Sequence, residues 1–586
     1  MNIKNIIEEK LAEVILSVFQ LKDIKLEIQE NKTEFEGDFT IVTFPLVKQL
    51  KKNPESIGLE LGESLAVQSE LVESFNVVKG FLNIKVKNQF FVNQFKAITS
   101  EFSVIDKKNS TVMVEYSSPN TNKPLHLGHI RNNLLGFSVS QILEEAGYDV
   151  IKSQIINDRG IHICKSMLAW EKFGKGETPE STGIKGDKFV GNFYVEFDKN
   201  YKKEIAELMA KGLTEDEAKK EAPLIKEAQQ MLLDWENGDE KVRKLWEEMN
   251  TWVYKGFNET YSRLGVKFDQ VQYESNTYIL GKDLIQEGIA KGVLFQKEDG
   301  SVWCDLTDEG LDQKLLLRSD GTSVYMTQDL GTAVQRFKEN NLQKLIYTVG
   351  NEQDYHFQVL FKILGKLGYE WANHLYHLSY GMVELPEGKM KSREGTVVDA
   401  DDLMQEMYAT AKSKSQELGK LEHLSDDDKE TSYEKVGLGA LKYFMLKVDP
   451  KKKMLFNPAE SIDFNGNTGP FIQYTYARIQ SLLAKAEYAQ KEISEVPLNQ
   501  FEKELIVHLG NYKTIVQKAA ESLSPALVAN YLYDLVKAYN SFYQNNPIMI
   551  LEDENVKQIR LDLSDLTAKT IKKSLRLLGI GTVNRM

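Results

Sequence analysis

Residues 117–129 read SSPNTNKPLHLGH, and this stretch determines how the chain around it is interpreted. A strand-like run, TVMVEYS (111–117), leads into it, and a helical pattern from residue 127 to about residue 146 follows. Gly147 then ends the helix, as a glycine after the last turn commonly does. The next strand-like run is DVIKSQIIN (149–157). Strand, helix and strand at this length predict a βαβ unit in a parallel sheet.

The residues of this stretch suit a nucleoside triphosphate. His126 and His129 lie three apart at a helix start, so they face the same side. Gly128 between them removes a side chain and should let a ligand approach the backbone. The helix N-terminus should offer free N–H groups and a partial positive charge to phosphate. A pair of helix-capping or metal-binding histidines is the alternative, and no cysteine or spaced carboxylate nearby supports a metal.

A second stretch, GKMKSREGT (388–396), is a short segment bounded by glycines that carries three cations. Such a loop can neutralise the charge that develops on phosphates in a transition state. Taken alone, it would equally fit a solvated basic turn. Its place downstream of a parallel α/β unit with a phosphate-binding pattern favours the functional interpretation.

The fold class predicted from these patterns is α/β, with a parallel-sheet catalytic domain at residues 106–420. A stretch rich in Glu, Lys and Ala, residues 171–260, has helical spacing and is interpreted as a helical insertion in that domain. Two strand–helix segments, 323–337 and 344–368, resume the α/β pattern after it.

The flanking regions differ from this central domain. Residues 1–105 form a predicted small α/β domain, with a helix at the start and a helical pattern at 54–75. Strand-like runs lie at 39–47 and 77–87. From residue 421 to residue 586 the pattern is helical throughout, which predicts an all-α C-terminal domain. Its apolar segments cover 433–448, 470–490, 500–519, 525–545 and 564–579.

Composition excludes several classes of protein. No run of about 18 apolar residues is present, so no membrane span is expected. The two cysteines, Cys164 and Cys304, rule out a disulfide framework and a cysteine-rich zinc site, and they favour a reducing cytoplasm. Net charge is −13 from 73 basic and 86 acidic residues, whereas residues 421–586 hold 21 of each. The overall acidity therefore does not exclude a polyanionic partner.

The two motifs resemble the HIGH and KMSKS signatures of class I aminoacyl-tRNA synthetases, whose catalytic domain is Rossmann-like. The form SSPNTNKPLHLGHIRNN resembles the arginyl-tRNA synthetase family in particular. The resemblance extends to the GFLN segment at 80–83, to GPFIQYTYAR (469–478) and to the ending LRLLGIGTVNRM (575–586). It implies an anticodon-binding role for the all-α domain, with tRNA(Arg), L-arginine and ATP as partners.

The resemblance also implies roles for individual residues. His126 and His129 would contact the ATP phosphates and the transition state, and Lys389 and Lys391 would grip the leaving pyrophosphate. Lys391 stands where serine often does, and Ser392 where the second lysine would stand, so the pattern leaves open which lysine dominates. The remaining ATP-binding candidates are Lys123, Leu127, Gly128, Met390 and Ser392. Mg²⁺ should accompany ATP, bound mainly through phosphates and water.

An arginine substrate carries a planar cation with five N–H donors, which calls for fixed carboxylates. Tyr325 and Asp329 lie four apart on one predicted helical face. By resemblance, Glu274, Tyr325 and Asp329 would hold the guanidinium. Asn120 and Gln353 would hold the α-amino and carboxylate end, with Glu115 nearby.

Contacts with tRNA are predicted in both flanking domains. By resemblance, Phe81 and Asn83 would touch the tRNA elbow, although Phe81 also fits a strand's core. Single-stranded bases stack on aromatic side chains, and Tyr543, close to a helix end at QNNP, is the best anticodon candidate. Most other aromatics at helical spacing are expected to be core; they are Tyr474, Tyr476, Tyr539 and Phe542.

Three alternatives remain open at this stage. A cysteinyl enzyme is disfavoured because cysteine ligands for zinc are lacking, and a glutamyl enzyme because the candidate pocket is rich in carboxylates. A non-catalytic tRNA-binding paralogue is disfavoured by the intact histidines and lysines. The expected protein is a cytoplasmic monomer. The resemblance further implies that it forms arginyl-adenylate only when tRNA is bound.

Overall fold

The computed structural model describes residues 3–31, 36–102, 104–384, 398–419, 424–493 and 495–585 of the chain. Its N-terminal region is a four-stranded antiparallel sheet covered by helices, and its strands lie in the order 28–30, 39–42, 81–86 and 72–78. Its elements are α1 (Ile3–Phe19), β1 (Ile28–Glu30), β2 (Phe39–Val42), α2 (Phe44–Leu50), α3 (Pro54–Gln68), β3 (Val72–Val78), β4 (Phe81–Val86) and α4 (Asn88–Glu101).

The predicted single strand at 77–87 is in fact the second half of a hairpin. Lys79 and Gly80 both have positive φ, 51° and 82°, and they form a two-residue turn between β3 and β4. Such a turn matches the twist of antiparallel strands. The helical pattern predicted to run to residue 75 therefore ends at Gln68, and the chain enters β3 at Val72.

The central region begins with the predicted βαβ unit and continues into the helical insertion. Its first elements are β5 (Thr111–Glu115), α5 (Leu127–Glu145), β6 (Asp149–Ile156) and α6 (Ile161–Phe173). The insertion comprises α7 (Pro179–Thr182), α8 (Gly186–Ala210), α9 (Glu215–Glu221), α10 (Pro223–Glu236) and α11 (Glu240–Leu264). Side chains of Thr178 and Thr214 cap α7 and α9, which explains why helices start there.

The region then returns to the parallel sheet. The elements are β7 (Gln270–Tyr273), α12 (Glu274–Thr277), α13 (Lys282–Ala290), β8 (Leu294–Gln296), β9 (Val302–Cys304), β10 (Lys314–Leu317), α14 (Tyr325–Asn340), β11 (Lys344–Gly350), α15 (Asp354–Lys366), β12 (Leu375–Tyr380), β13 (Val383–Glu384) and α16 (Ala400–Glu417). Strands β8 to β10 form a separate antiparallel sheet that the sequence patterns did not predict.

The five-stranded sheet confirms the predicted parallel α/β class. Its order is β12-β11-β5-β6-β7, and each neighbouring pair is parallel. In the register, Glu115 on β5 lies between Ser153 on β6 and Tyr347 on β11. All five strands therefore end at one edge, where ligands of such sheets bind.

The C-terminal region is helical, as predicted, apart from the short β14. Its elements are α17 (Asp426–Leu446), β14 (Met454–Leu455), α18 (Pro458–Ser461), α19 (Gly469–Lys485), α20 (Gln500–Gly510), α21 (Tyr512–Ser522), α22 (Pro525–Asn545) and α23 (Glu554–Leu577). The single helix predicted at 500–519 is two helices that break at Asn511. The last helix begins about ten residues earlier than predicted, because Asp553 accepts hydrogen bonds from the backbone N–H groups of Asn555 and Val556.

Helix α5 of the central region is joined to the last helix of the chain. Its C-terminal residue, Glu145, is buried and pairs with Lys573 at 2.5 Å and Arg576 at 3.0 Å, both on α23. Lys573 also donates to the carbonyl of Phe102, just after α4. Across the described ranges, no helix is long and apolar enough to cross a membrane.

The close packing of α5 on the sheet generates a stability prediction. A Cβ added at Gly136 would lie 2.3 Å from Cβ and Cγ of Tyr116, a fully buried residue. We expect Gly136→Ala to destabilise the fold by about 1–3 kcal/mol through overpacking. Thermal unfolding followed by circular dichroism measures the effect.

The matched control is Gly365→Ala, also in a helix, where nothing lies within 4 Å of the added Cβ. That variant should be neutral or slightly more stable, because alanine favours helices. Equal melting temperatures for the two variants would contradict the packing argument.

Candidate active site

The site begins with a strained turn after β5. Ser117 is buried with φ at 67°, a conformation that non-glycine residues rarely adopt. Its N–H donates to Oδ1 of Asn132 at 2.6 Å, and its Oγ lies 2.7 Å from Oη of Tyr261. Because Asn132 is on α5 and Tyr261 on α11, these contacts hold the turn between α5 and the insertion.

The two histidines at the start of α5 cap the helix reciprocally. Nδ1 of His126 accepts from the N–H of Gly128, and Nδ1 of His129 accepts from the N–H of His126, both at 3.1 Å. The ring centroids are 3.9 Å apart. A neutral imidazole that accepts at Nδ1 carries its proton at Nε2. Each ring therefore offers an Nε2–H donor.

Both histidines are neutral at pH 7. Burial and the charge of Lys123 lower the pKa of His126 to about 4. Burial, His126 and Lys123 lower the pKa of His129 well below its usual value. They can therefore donate hydrogen bonds to an oxyanion without themselves bringing a positive charge.

The expectation of free N–H groups at the start of α5 is wrong for its first two residues. The N–H of Leu127 donates to the carbonyl of Val398 at 3.1 Å, and that of Gly128 is used by His126. The absence of a side chain at Gly128 also has a different consequence from the one expected. A Cβ there would lie 3.0 Å from Cε1 of His126, so the glycine makes room for the histidine ring.

The segment after the lysine-rich stretch is tied to the histidines. Residues 125–127 pair with residues 398–400 through Leu127 N–H to Val398 O and Ala400 N–H to Leu125 O, at 3.1 and 2.9 Å. His126 and Asp399 form the antiparallel bridge between them. Lys389, Met390, Lys391 and Ser392 themselves lie outside the described residues.

A cavity of about 400 Å³ lies over the histidine motif. Lys123, His126 and Asn120 form one wall, and residues of α6 and α8 form another. Lys188 of α8 donates to Asp402 at 3.0 Å and lies 4.0 Å from Asp399. Burial lowers the pKa of Lys123. The insertion therefore lines part of this cavity, which the sequence did not predict. Nothing in the spacing of its residues indicates a role in ligand binding.

A second group of residues gathers where β7 ends. Glu274 begins α12 and is 9% exposed. Burial raises the pKa of its carboxyl to about 7, the charge of Arg159 opposes the rise, and Asp158 and Asp329 add to it. Burial and then the charge of Glu274 raise the pKa of the Tyr325 hydroxyl. Helix α12 packs against α14, so Glu274 lies on a helix next to the one that carries Tyr325 and Asp329.

Tyr325 and Asp329 lie on α14, as the spacing predicted, and they face the solvent more than Glu274 does. Tyr325 is 73% exposed. The Asp329 carboxylate is 2.7 Å from Nε2 of His356 at the start of α15. Gln353 lies in the turn just before α15 and is exposed. These residues leave an acidic, accessible surface next to Glu274.

Glu115 is placed differently from the other predicted arginine ligands. It is buried at the end of β5 and forms an ion pair with the fully buried Arg336 of α14. Arg336 also donates through Nε to Gln272 at 2.9 Å. No local spacing indicates this pair, because Glu115 and Arg336 lie 221 residues apart in the sequence.

The predicted tRNA contacts in the N-terminal region differ in exposure. Phe81 is 37% exposed and makes an edge contact with exposed Phe44 at 5.3 Å, so it is not a core residue. Asn83 is buried; it donates to Asn76 at 2.8 Å and accepts from Thr40 at 2.5 Å. In this conformation Asn83 supports the hairpin that presents Phe81.

In the C-terminal region, Tyr543 is half-buried near the end of α22. Arg478 lies over its ring at 5.8 Å and over the ring of Tyr474 at 4.9 Å. The other aromatic candidates, Tyr476, Tyr539 and Phe542, are buried, as expected of core residues. In the described part of the chain, no group of three or more His, Cys, Asp or Glu residues could hold a metal ion.

Family models match the chain in three consecutive parts. The model for the class I (R) tRNA synthetase catalytic domain matches residues 93–457. The arginyl tRNA synthetase N-terminal domain model matches residues 1–86, and the DALR anticodon binding domain model matches residues 472–586.

Individual proteins agree with these models over the full length. The arginine–tRNA ligase of Flavobacterium psychrophilum is 57% identical over 601 residues, with 100% of both chains covered. That of Bacteroides fragilis is 56% identical over 595 residues, covering 99% of this chain and 100% of its own. The structure of Thermus thermophilus arginyl-tRNA synthetase aligns with a TM-score of 0.79 at 25% identity, with 100% of both chains covered. The chain therefore belongs to the arginyl-tRNA synthetase family.

Proposed function

We propose that this chain attaches L-arginine to tRNA(Arg) at the expense of ATP, through arginyl-adenylate. The observation that carries the proposal is the pairing of residues 125–127 with residues 398–400. It places the two neutral histidines beside the base of the lysine-rich segment. An acidic group lies at the same carboxyl edge of the sheet, where β7 ends.

The reaction has two steps. A carboxylate oxygen of arginine attacks the α-phosphorus of ATP, and the bond to the bridging oxygen breaks, releasing pyrophosphate. The 2′-hydroxyl of the terminal tRNA adenosine then attacks the carbonyl carbon of the adenylate. AMP leaves as the new ester forms, and the hydroxyl proton is released.

His126 and His129 would act in the first step as fixed donors. Their Nε2–H groups would hydrogen-bond the phosphate oxygens, whose charge spreads in the transition state. Lys123, at the wall of the same cavity, would add a positive charge. Lys389 and Lys391 would neutralise the departing pyrophosphate, and Met390 and Ser392 would line the nucleotide beside them.

The substrate arginine would lie across the carboxyl edge of the sheet. Glu274 and Asp329 would accept N–H groups of the guanidinium, with Tyr325 against its plane. Asn120 and Gln353 would bind the α-amino and carboxylate end. The charge of Glu115 is already neutralised by Arg336. We therefore assign Glu115 a structural role, in which it holds β5 against α14 close to the α-amino end of the substrate.

The remaining partners follow from the same assignment. Phe81 in the N-terminal region and Tyr543 in the C-terminal region would stack on tRNA bases. Asn83, which is buried, would act through the hairpin. Mg²⁺ would arrive with ATP, held through phosphates and water. We also propose a monomer that acts in the cytoplasm, with domains at 1–105, 106–420 and 421–586.

A charging assay with a panel of amino acids and tRNA(Arg) tests the function. We expect arginine alone to be attached. Asp329→Ala should raise the KM for arginine at least about tenfold, because a charge-assisted hydrogen bond to the guanidinium is lost. Asp308→Ala is the matched control, since Asp308 is 68% exposed and pairs with Lys366 away from the site. An unchanged KM in Asp329→Ala would remove Asp329 from the pocket.

The pKa of Glu274 makes arginine binding pH-dependent. With a pKa of about 7, the carboxyl is ionised above that pH and neutral below it, whereas arginine stays cationic throughout. The KM for arginine should therefore rise about tenfold from pH 8 to pH 6. Glu274→Gln should bind arginine weakly at both values and lose this dependence. A parallel rise in the KM for ATP would speak against the assignment.

The exchange of ATP and pyrophosphate should be weak without tRNA. Helix α5 carries the histidines at one end, and Glu145 at its other end is paired with α23. RNA bound to the C-terminal region can therefore act on the catalytic helix through contiguous packing. Isotope exchange with and without tRNA(Arg) measures this, and equal rates would refute the expectation.

A further inference from the structure

Asp158 is a buried acid in the loop after β6 that the sequence analysis did not single out. It is 1% exposed. One carboxylate oxygen accepts from the N–H of Ser275 at 2.8 Å. The other accepts from Oγ of Ser275 at 2.7 Å and from Oη of Tyr254 at 2.8 Å. Both oxygens are therefore occupied by protein donors.

These bonds compensate for the cost of burying a charge. Burial raises the pKa of the Asp158 carboxyl, and the hydrogen bonds from Ser275 and Tyr254 oppose that rise. A buried carboxylate without such donors would be strongly unfavourable. Because the side chain has so little exposed surface, Asp158 acts on other residues rather than on a substrate.

The residue on which it acts is next to Ser275. Glu274 begins α12, a helix of only four residues, and the N-cap residue Tyr273 supplies no side-chain cap. The N–H groups of a helix start need acceptors. Asp158 supplies one from a different strand end, at the residue directly after Glu274. This bond holds the backbone at Ser275, directly after Glu274.

The same loop also holds the helical insertion. The carbonyl of Asp158 accepts from Nε1 of Trp246 at 2.6 Å and from Nδ2 of Asn250 at 3.4 Å, both on α11. The next residue, Arg159, donates to Glu236 of α10 at 2.5 Å, and its guanidinium lies 4.0 Å from the ring of Tyr278. The insertion is therefore joined to α12 through two consecutive residues.

We propose that Asp158 is a positioning residue for arginine recognition: it caps α12 from the side, fixes Glu274 for the guanidinium and ties this pocket to the helical insertion. The inference rests on the proposed function, because it takes Glu274 to be an arginine ligand. The acidic insertion then has a role as well, because α10 and α11 hold the loop that positions Glu274.

Asp158→Asn tests the proposal in the full-length chain. The amide keeps the size but turns an N–H donor toward groups that are themselves donors. We expect the KM for arginine to rise on the order of tenfold through misplacement of Glu274. The KM for ATP should stay within about twofold, because the histidine cavity is formed by other residues. Ser275→Ala should raise the arginine KM in the same direction.

The double variant adds a second readout. Ser275→Ala removes the Oγ bond to Asp158, which Asp158→Asn also disturbs, so the two effects on the arginine KM should be less than additive. The double variant should also show a weaker pH dependence of the arginine KM, because Glu274 no longer faces the substrate. If Asp158 only stabilised the fold, the pH dependence of the arginine KM would stay as in the wild-type chain, and the two variants would show no coupled effect on that KM.

Asp562→Asn is the matched control. Asp562 is also buried and accepts from Tyr488 at 2.8 Å and Gln558 at 3.0 Å, within the C-terminal helices. It should lower the melting temperature without changing the ratio of arginine to ATP KM. If Asp158→Asn lowers stability but leaves that ratio unchanged, or raises both KM values equally, the proposal is overturned.

The outcome separates this inference from the proposed function. If the wild-type chain charges tRNA(Arg) with arginine and Asp158→Asn leaves the arginine KM unchanged, only the positioning role fails. If the wild-type chain charges no arginine, the function itself fails.

Discussion

Two backbone hydrogen bonds, between residues 125–127 and residues 398–400, hold the histidine motif against the segment that follows the lysine-rich stretch. They consume the N–H of Leu127 and hold Asp399 against His126. The N–H of Gly128, the next donor at the helix start, donates to the His126 ring. The histidines are half-buried, and each accepts a backbone hydrogen bond at Nδ1, which fixes one neutral tautomer. The segment that follows the lysine-rich stretch is anchored beside them.

The acidic part of the site depends on burial and on how charges are balanced. Glu115 is neutralised by Arg336, whereas Glu274 keeps a raised pKa although Arg159 acts on it. A cationic substrate would therefore complete the charge balance around Glu274, and a neutral or acidic one would not. Asp158, through its bonds to Ser275, sets where that unbalanced carboxylate lies.

Much of the fold followed from local patterns. The βαβ unit around β5 and α5, the helical insertion and the helical C-terminal region were predictable, because period and helix-end signals act over a few residues. The secondary structure predicted from the sequence was wrong where a single turn interrupts a regular pattern. Lys79 and Gly80 make a hairpin from an apparent single strand, and Asn511 divides a helical pattern into two helices.

The sequence by itself determined the chemistry available: two histidines three apart, a lysine-rich segment, and carboxylates placed after strands. Only the tertiary structure decided which of these groups act and in what state. Burial makes the histidines neutral, Gly128 makes room for a ring rather than for a ligand, and Arg336 takes up the charge of Glu115. The physical reason is that pKa values and hydrogen-bond partners depend on neighbours far apart in the chain, such as Asp158 and Ser275, whose pairing no spacing records.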